Sequence, residues 1–411
     1  MTMDHQVQSV TQTESPTAAK SSAWTVTVCF LVVLLDGLDT TSIAFVAPAL
    51  TRAWGISPAA FTPAFVATSI GAVIGYMACG PLAQRFGQRP VAAASVLLFG
   101  LGTLLSVFAD NITTLSILRL VTAIGLGGAL PVAVATAADV MPAKYRELAA
   151  MIVATGLSAG SVVGGIAGIP LMQNFGWKSV FILGGLLPLV LLPALLSVLP
   201  RATAPAETAS AQPGNPIAAL FGQGYALRTA LLWLFAFLIF LDAYALIFWV
   251  PTLLSAFGFA PNQAPVATAA FGMGGLVGNV VMMAVVAKIG VNRMLMLTTV
   301  IAIAGIVLIS QGAIPQGLVL PLIGGIGAGL ITGCVGQAAL AVSFYSPAIR
   351  TTGVGWSSAL GRIGSIAGPA AGGLMLSLGW APRDIVLTAV VPALAAIATL
   401  LALAWIDRTR D

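Results

Sequence analysis

The chain has 411 residues, of which 59% are hydrophobic and only 7% charged, with a formal net charge of +5. Soluble domains carry about 25% charged residues, so this composition excludes an ordinary soluble enzyme or binding domain and describes a polytopic membrane protein. The sequence pI of 9.4 is not the footprint of a nucleic-acid partner, because the basic residues stand singly between apolar runs, where they set topology.

Residues 1–23 are polar and lack the basic region and small-residue cleavage site of a secretory signal peptide. They are expected to remain as a cytoplasmic tail ahead of a start-transfer helix. About twelve segments long enough to span a bilayer follow, at 24–50, 60–83, 90–109, 112–138, 147–173, 178–199, 228–256, 263–287, 293–311, 316–343, 351–377 and 384–406. Backbone groups in lipid must all be paired, so these segments are read as helices; strands of a membrane barrel are about half as long. The expected fold is an all-α membrane protein of twelve transmembrane helices in two six-helix bundles, 24–199 and 228–406. An Ala/Pro/Thr-rich cytoplasmic linker at 200–227 joins them, and a short tail follows at 407–411.

Orientation follows from Lys and Arg. With both termini inside, the cytoplasmic side holds Lys20, Arg85, Arg89, Lys144, Arg146, Arg201, Arg228, Lys288, Arg293, Arg350, Arg408 and Arg410, against Arg52, Lys178 and Arg383 outside.

The first span carries Asp36 and Asp39. At 1.5 Å per residue Asp36 lies roughly 18 Å into the helix, near the bilayer midplane. A carboxylate there costs about 2.5–3.5 kcal/mol and marks a proton or ion pathway. The two share one face and repel if both are ionised. A structural role, bonded to neighbouring helices, is the alternative. The only His is His5, so a proton relay in the membrane must use carboxylates, with Arg, Tyr or water. Cys29, Cys79 and Cys334 fall in apolar stretches, which argues against disulfides and spaced metal ligands; no metal site is expected.

The halves read as copies. Gly176-Trp177 recurs as Gly379-Trp380, and Arg85-Phe86-Gly87 recurs as Lys288-Ile289-Gly290 at the same offset. Gly160, Gly164 and Gly168 recur as Gly364, Gly368 and Gly372 one residue further on. Repeats of this size, facing each other across a cavity, are a transporter architecture. Asp242, in the seventh span, occupies a place related by the repeat to Asp36 and is a third candidate for proton coupling.

Residues 80–89, Gly-Pro-Leu-Ala-Gln-Arg-Phe-Gly-Gln-Arg, resemble the signature loop between the second and third helices of the major facilitator superfamily. Gly80, Leu82, Ala83, Arg85, Gly87 and Arg89 match, while Gln84 replaces the usual acid and Gln88 an Arg. The physical sense is a tight turn at Gly87 with cations at the cytoplasmic face, a gating element. An ordinary basic loop is the bland alternative.

A narrower resemblance covers most of the chain. Asp36-Gly37-Leu38-Asp39, Arg119 with Gly125 to Pro131, Trp249-Val250-Pro251, and Ile349 to Gly355 continuing to Gly361-Arg362-Ile363-Gly364 are similar to tracts of the aromatic acid:proton symporter family. That resemblance implies inward symport of a benzoate- or hydroxybenzoate-like carboxylate with protons. It implies no cofactor, the proton gradient as driving force, the cell inner membrane as location and a monomer as working unit. Asp139 matches a family acid at the end of the fourth span and joins the gating candidates, though a solvated helix-end charge reads the same way.

The residues themselves agree with a carboxylate substrate. The basic residues well inside spans are Arg119 and Arg362, and Arg binds a carboxylate bidentately and stacks on aromatic rings. Each is also a candidate structural partner of Asp36, Asp39 or Asp242. Tyr244 and Trp249 are candidates to line an aromatic pocket. Val132 and Phe248 stand where amides are common in the family, which suggests a less polar cavity and a substrate with fewer ring hydroxyls or a bulkier apolar part. The competing readings are a proton-coupled exporter of amphipathic compounds and a non-transporting sensor; no nucleophile–base constellation suggests an enzyme.

Overall fold

The computed structural model describes residues 16–56, 62–199, 215–222, 224–255, 264–311 and 314–408. The expected tail up to residue 15, the linker residues 200–214 and residues 409–411 lie outside the described residues. The helices are α1 (Pro16–Trp54), α2 (Thr62–Phe86), α3 (Gln88–Leu105), α4 (Ile112–Asp139), α5 (Arg146–Phe175), α6 (Lys178–Val198), the short α7 (Pro216–Ala219), α8 (Ala226–Ser255), α9 (Ala264–Ile289), α10 (Val291–Ser310), α11 (Gln316–Phe344), α12 (Pro347–Ser377), α13 (Pro382–Thr388) and α14 (Val390–Arg408). Among the described residues there is no strand. The first helix begins at Pro16, ahead of the apolar stretch that starts at Trp24.

Eleven of these stretches are long and apolar enough to cross a bilayer, the last of them spanning α13 and α14 together. The membrane-length helix outside that set is α12, which has 31 residues. Arg350, Thr351, Thr352, Ser357, Ser358 and Arg362 lower its hydropathy. It packs against α8, α2, α4 and α11, so these groups face protein instead of lipid. The expected twelfth crossing therefore rests on a helix whose composition alone does not mark it as a span. Ile117, Val190, Val277, Leu297, Val391 and Leu401 are exposed apolar residues suited to a lipid solvent.

The two halves repeat one packing scheme. In the first, α1 lies on α5, α2 on α4, and α3 on α4 and α6; in the second, α8 lies on α12, α9 on α11, and α10 on α11 and α14. The halves meet through α2 with α12 and α5 with α9, and through α4 with α12 and α5 with α11, which are again related pairs. Small residues make this possible. A Cβ on Gly160 would collide with the backbone of Leu34, and one on Gly368 with that of Leu241, so both α1–α5 and α8–α12 cross at backbone contact. The turns repeat as well: Gly87 and Gly290 have φ of 89° and 79°, and Gly176 and Gly379 have 75° and 81°, a region costly for residues with a Cβ.

Candidate functional site

Asp39 and Arg119 form one unit. Arg119 Nη1 donates to Asp39 Oδ2 at 2.9 Å, and Thr103 Oγ1 donates to Asp39 Oδ1 at 2.6 Å. Arg119 Nε reaches Thr68 Oγ1 at 3.5 Å. Both charged side chains are fully enclosed, at 0% exposure. The unit ties α1, α2, α3 and α4 together inside the first half, which is the structural pairing left open from sequence.

Asp36, one turn earlier, points elsewhere. Its Oδ1 accepts from Thr40 Oγ1 at 3.1 Å, while the buried Oδ2 has no hydrogen-bond partner. It lines a cavity of about 240 Å³ together with Thr68, Ser69, Tyr76, Tyr244 and Arg362. Among the described residues no ion pair joins Asp36 to Arg362, although both line this cavity.

Tyr76, Tyr244 and Arg362 also line a second cavity of about 160 Å³, which lies toward the face where α1 begins and α14 ends, here the termini face. Its walls come from α2, α4, α5, α8, α9, α11 and α12, so it sits between the two halves. Phe240, Tyr244 and Phe271 supply rings, with Phe240 and Tyr244 stacked at 6.1 Å and 7°. Arg362 borders both cavities, as do Tyr76 and Tyr244. Of the two arginines inside spans, Arg362 borders open space and Arg119 is already engaged. The side chains of Phe248 and Trp249 lie outside the described residues.

Val132 is not on the cavity wall. It packs with Val28, Val96, Phe99 and Leu126 in the core of the first half. The expectation of a less polar cavity, so far as it rested on Val132, is therefore corrected. The cavity instead contains Gln337 and Ser358, polar residues on α11 and α12 that the sequence reading did not single out. A usable signal was present: Ser358 is four residues before Arg362 and so on the same helix face.

Asp242 is set apart. It is fully buried, neither carboxyl oxygen has a partner, and it borders a separate cavity of about 350 Å³ among α8, α12, α13 and α14. Its repeat relationship also changes. Gly75 against Ile124 corresponds to Gly278 against Ala328, and Gly125 against Ser95 to Gly329 against Thr298. In that registration Asp242 is the counterpart of Asp39, not of Asp36, and Thr103 and Arg119 correspond to Ile306 and Ile323. The second half keeps the acid and replaces its partners with buried apolar side chains.

On the face where α1 begins and α14 ends the halves are bridged. Asp139 at the end of α4 forms an ion pair with Arg350 at the start of α12. Gln84 Nε2 donates to the Ala348 carbonyl at 3.0 Å, and Gln88 Nε2 to Thr351 Oγ1 at 3.4 Å. Glu147 Oε2 accepts from the Val291 backbone N–H at 2.9 Å. Gly80 lies against Thr352 so closely that no Cβ would fit. Gln84, which replaces the usual loop acid, thus still reaches across the halves as an amide. Arg85 lies 5.2 Å over the Phe86 ring, and among the described ion pairs neither Arg85 nor Arg89 takes part.

Two related helical halves, an apolar exterior and a cation-bearing cavity on the axis between them define a membrane transporter. The chain matches the model of the Major Facilitator Superfamily over residues 29–253 and 232–411, and it belongs to that family. It is 34% identical to the 4-hydroxybenzoate transporter PcaK of Pseudomonas aeruginosa, with 92% of this chain and 91% of that protein covered. It is 35% identical to a gallate transporter of Pseudomonas putida, covering 85% of each. With a 3-(3-hydroxy-phenyl)propionate transporter of Escherichia coli the identity is 34%, over 89% of this chain and 90% of the relative. Among solved structures, the proton:xylose symporter XylE bound to 6-bromo-6-deoxy-D-glucose shares the fold with a TM-score of 0.76 at 16% identity, covering 93% and 96% of the two chains.

Proposed function

We infer that the protein imports an aromatic carboxylate across the cell inner membrane by proton symport, as a monomer with both termini in the cytoplasm. The observation that carries this reading is Arg362, a half-buried arginine that lines both cavities beside Tyr76, Tyr244 and Phe240. An apolar cavity of about 150 Å³ holds one benzene. The cavity of about 160 Å³ beside Arg362 therefore suits a single ring with its carboxylate on the cation. The relatives' named substrates are aromatic acids, which supports the same class.

The cycle follows from what each group can do. With the termini face bridged, the anion arrives from the opposite face through the cavity holding Asp36. A charged Asp36 competes for Arg362 and repels the incoming carboxylate; a proton on Asp36 removes both effects. The loaded, neutralised site then lets the halves rock and the Asp139–Arg350 bridge part. Deprotonation of Asp36 toward the cytoplasm returns Arg362 to its influence and releases the substrate. Asp39 and Arg119 hold the first half rigid around this exchange. Asp242 borders neither of these cavities, and the cycle does not use it.

Uptake of labelled benzoate and 4-hydroxybenzoate into proteoliposomes, with and without an inward proton gradient, tests this reading. Gradient-driven accumulation is expected in the native protein. Arg362→Lys, which keeps charge but loses the planar fork, is expected to raise the KM about tenfold or more. Asp36→Asn is expected to exchange substrate across the membrane without gradient-driven accumulation. Full accumulation by Asp36→Asn would remove Asp36 from the coupling step.

A further inference from the structure

The cavity beside Arg362 contains a second recognition element. Its lining is largely apolar, and the hydroxyl of Ser161 is already engaged, with the Leu157 carbonyl at 3.0 Å. Among the described lining residues, the buried polar atom left without a partner is Oε1 of Gln337. The side chain is 3% exposed, so water does not satisfy this oxygen from outside. The other end of the amide is engaged: Nε2 donates to Ser358 Oγ at 3.1 Å. Ser358 stands one helical turn from Arg362 on the same face of α12, so the cation and the amide are held in register by one helix.

We propose that Gln337 is the specificity-determining residue for a ring hydroxyl, accepting its proton at Oε1 while Arg362 holds the carboxylate. This rests on the aromatic-acid reading above and sharpens it. A bare ring leaves this acceptor without a donor, as it is in the empty cavity, so a ring that brings a donor gains a hydrogen bond that benzoate does not. A phenolic O–H supplies it. A methoxy group in the same place does not, since it has no proton to give, and it brings two acceptor oxygens together. Ser358 is a positioning residue: its hydroxyl anchors the amide at the cavity wall, one turn from Arg362.

The test compares uptake of radiolabelled benzoate with that of its 3- and 4-hydroxy and 3- and 4-methoxy derivatives in proteoliposomes. In the native protein one hydroxy acid is expected to have a kcat/KM about tenfold above benzoate, and its methoxy analogue to fall below benzoate. Gln337→Met is expected to bring the hydroxy-to-benzoate ratio close to one. Ser358→Ala is expected to narrow the gap between hydroxy and methoxy acids, because the freed amide can turn. Ratios cancel differences in the amount of folded protein, and the native panel alone is able to overturn the assignment if a variant fails to fold. Equal uptake of benzoate and both hydroxy acids, or a preference for the methoxy acids, overturns the assignment of Gln337 and leaves the aromatic-acid reading standing. Uptake of none of the five overturns both.

Discussion

Asp36 and Asp39 lie one turn apart on α1, yet their surroundings give them different work. Asp39 sits between Thr103 and Arg119 with both oxygens engaged, whereas Asp36 has one oxygen free at the edge of a cavity. Removing one member of a buried ion pair leaves the other charge uncompensated, at a cost of about 3–5 kcal/mol. Arg119→Gln and Asp39→Asn are each expected to lower the melting temperature of the purified protein sharply. The double variant, with both charges gone, is expected to recover most of that loss. Uptake that recovers in parallel marks the pair as structural. A double variant that melts normally but cannot accumulate substrate would instead make Asp39 a coupling group. Which of two aspartates meets an arginine is set by helix rotation and neighbours, and neither is visible in the tract Asp-Gly-Leu-Asp itself.

At the level of elements, α12 joins the two cavities to the closing bridges. Arg350 and Thr351 at its start face the Gln84–Gln88 turn and Asp139, and Ser358 and Arg362 reach the cavities about two and three turns above. Gly80 of α2 lets α12 approach at Thr352. A valine there has no room unless the helices separate, so Gly80→Val is expected to disfavour the state closed at the termini face. A thiol-reactive probe added from that face should label Ser358→Cys faster in the Gly80→Val background than in the Gly80 parent; unchanged labelling would show that this contact does not hold the face shut. The repeated motif around Gly87 announced a tight turn and basic flanks. It did not announce that Gln84 and Gln88 bond to α12, because a contact between residues so far apart in sequence depends on how the halves dock.

For the whole molecule, the bridges on one face and the cavities on the other side of them describe one member of a two-state pair. An exchange between two such states needs each to be stabilised by contacts the other lacks. Asp139, Arg350, Gln84, Gln88 and Glu147 are those contacts for the present state. Arg350→Ala is expected to shift the population toward the state open at the termini face. Distances between spin labels on α4 and α12 near that face should lengthen, and the fraction of the long distance should rise several-fold. A distance distribution identical to the native one would remove the ion pair from the gate.

The sequence by itself determined the solvent and the plan: long apolar segments must be helices in lipid, scattered cations favour one side, and an internal repeat requires two related halves. It also narrowed the working charges to a few, since carboxylates and arginines within spans are costly and stand out singly. Only the tertiary structure decided how those charges are distributed. It paired Asp39 with Arg119, left Arg362 beside open space, placed Asp242 in a separate cavity and brought Gln337 onto Ser358. The physical reason is that hydropathy and repeats act along the chain, through each helix's own contact with lipid. Charge pairing and cavity shape act between helices, and a rotation of one residue on a helix, about 100°, moves a side chain from one neighbour to the next.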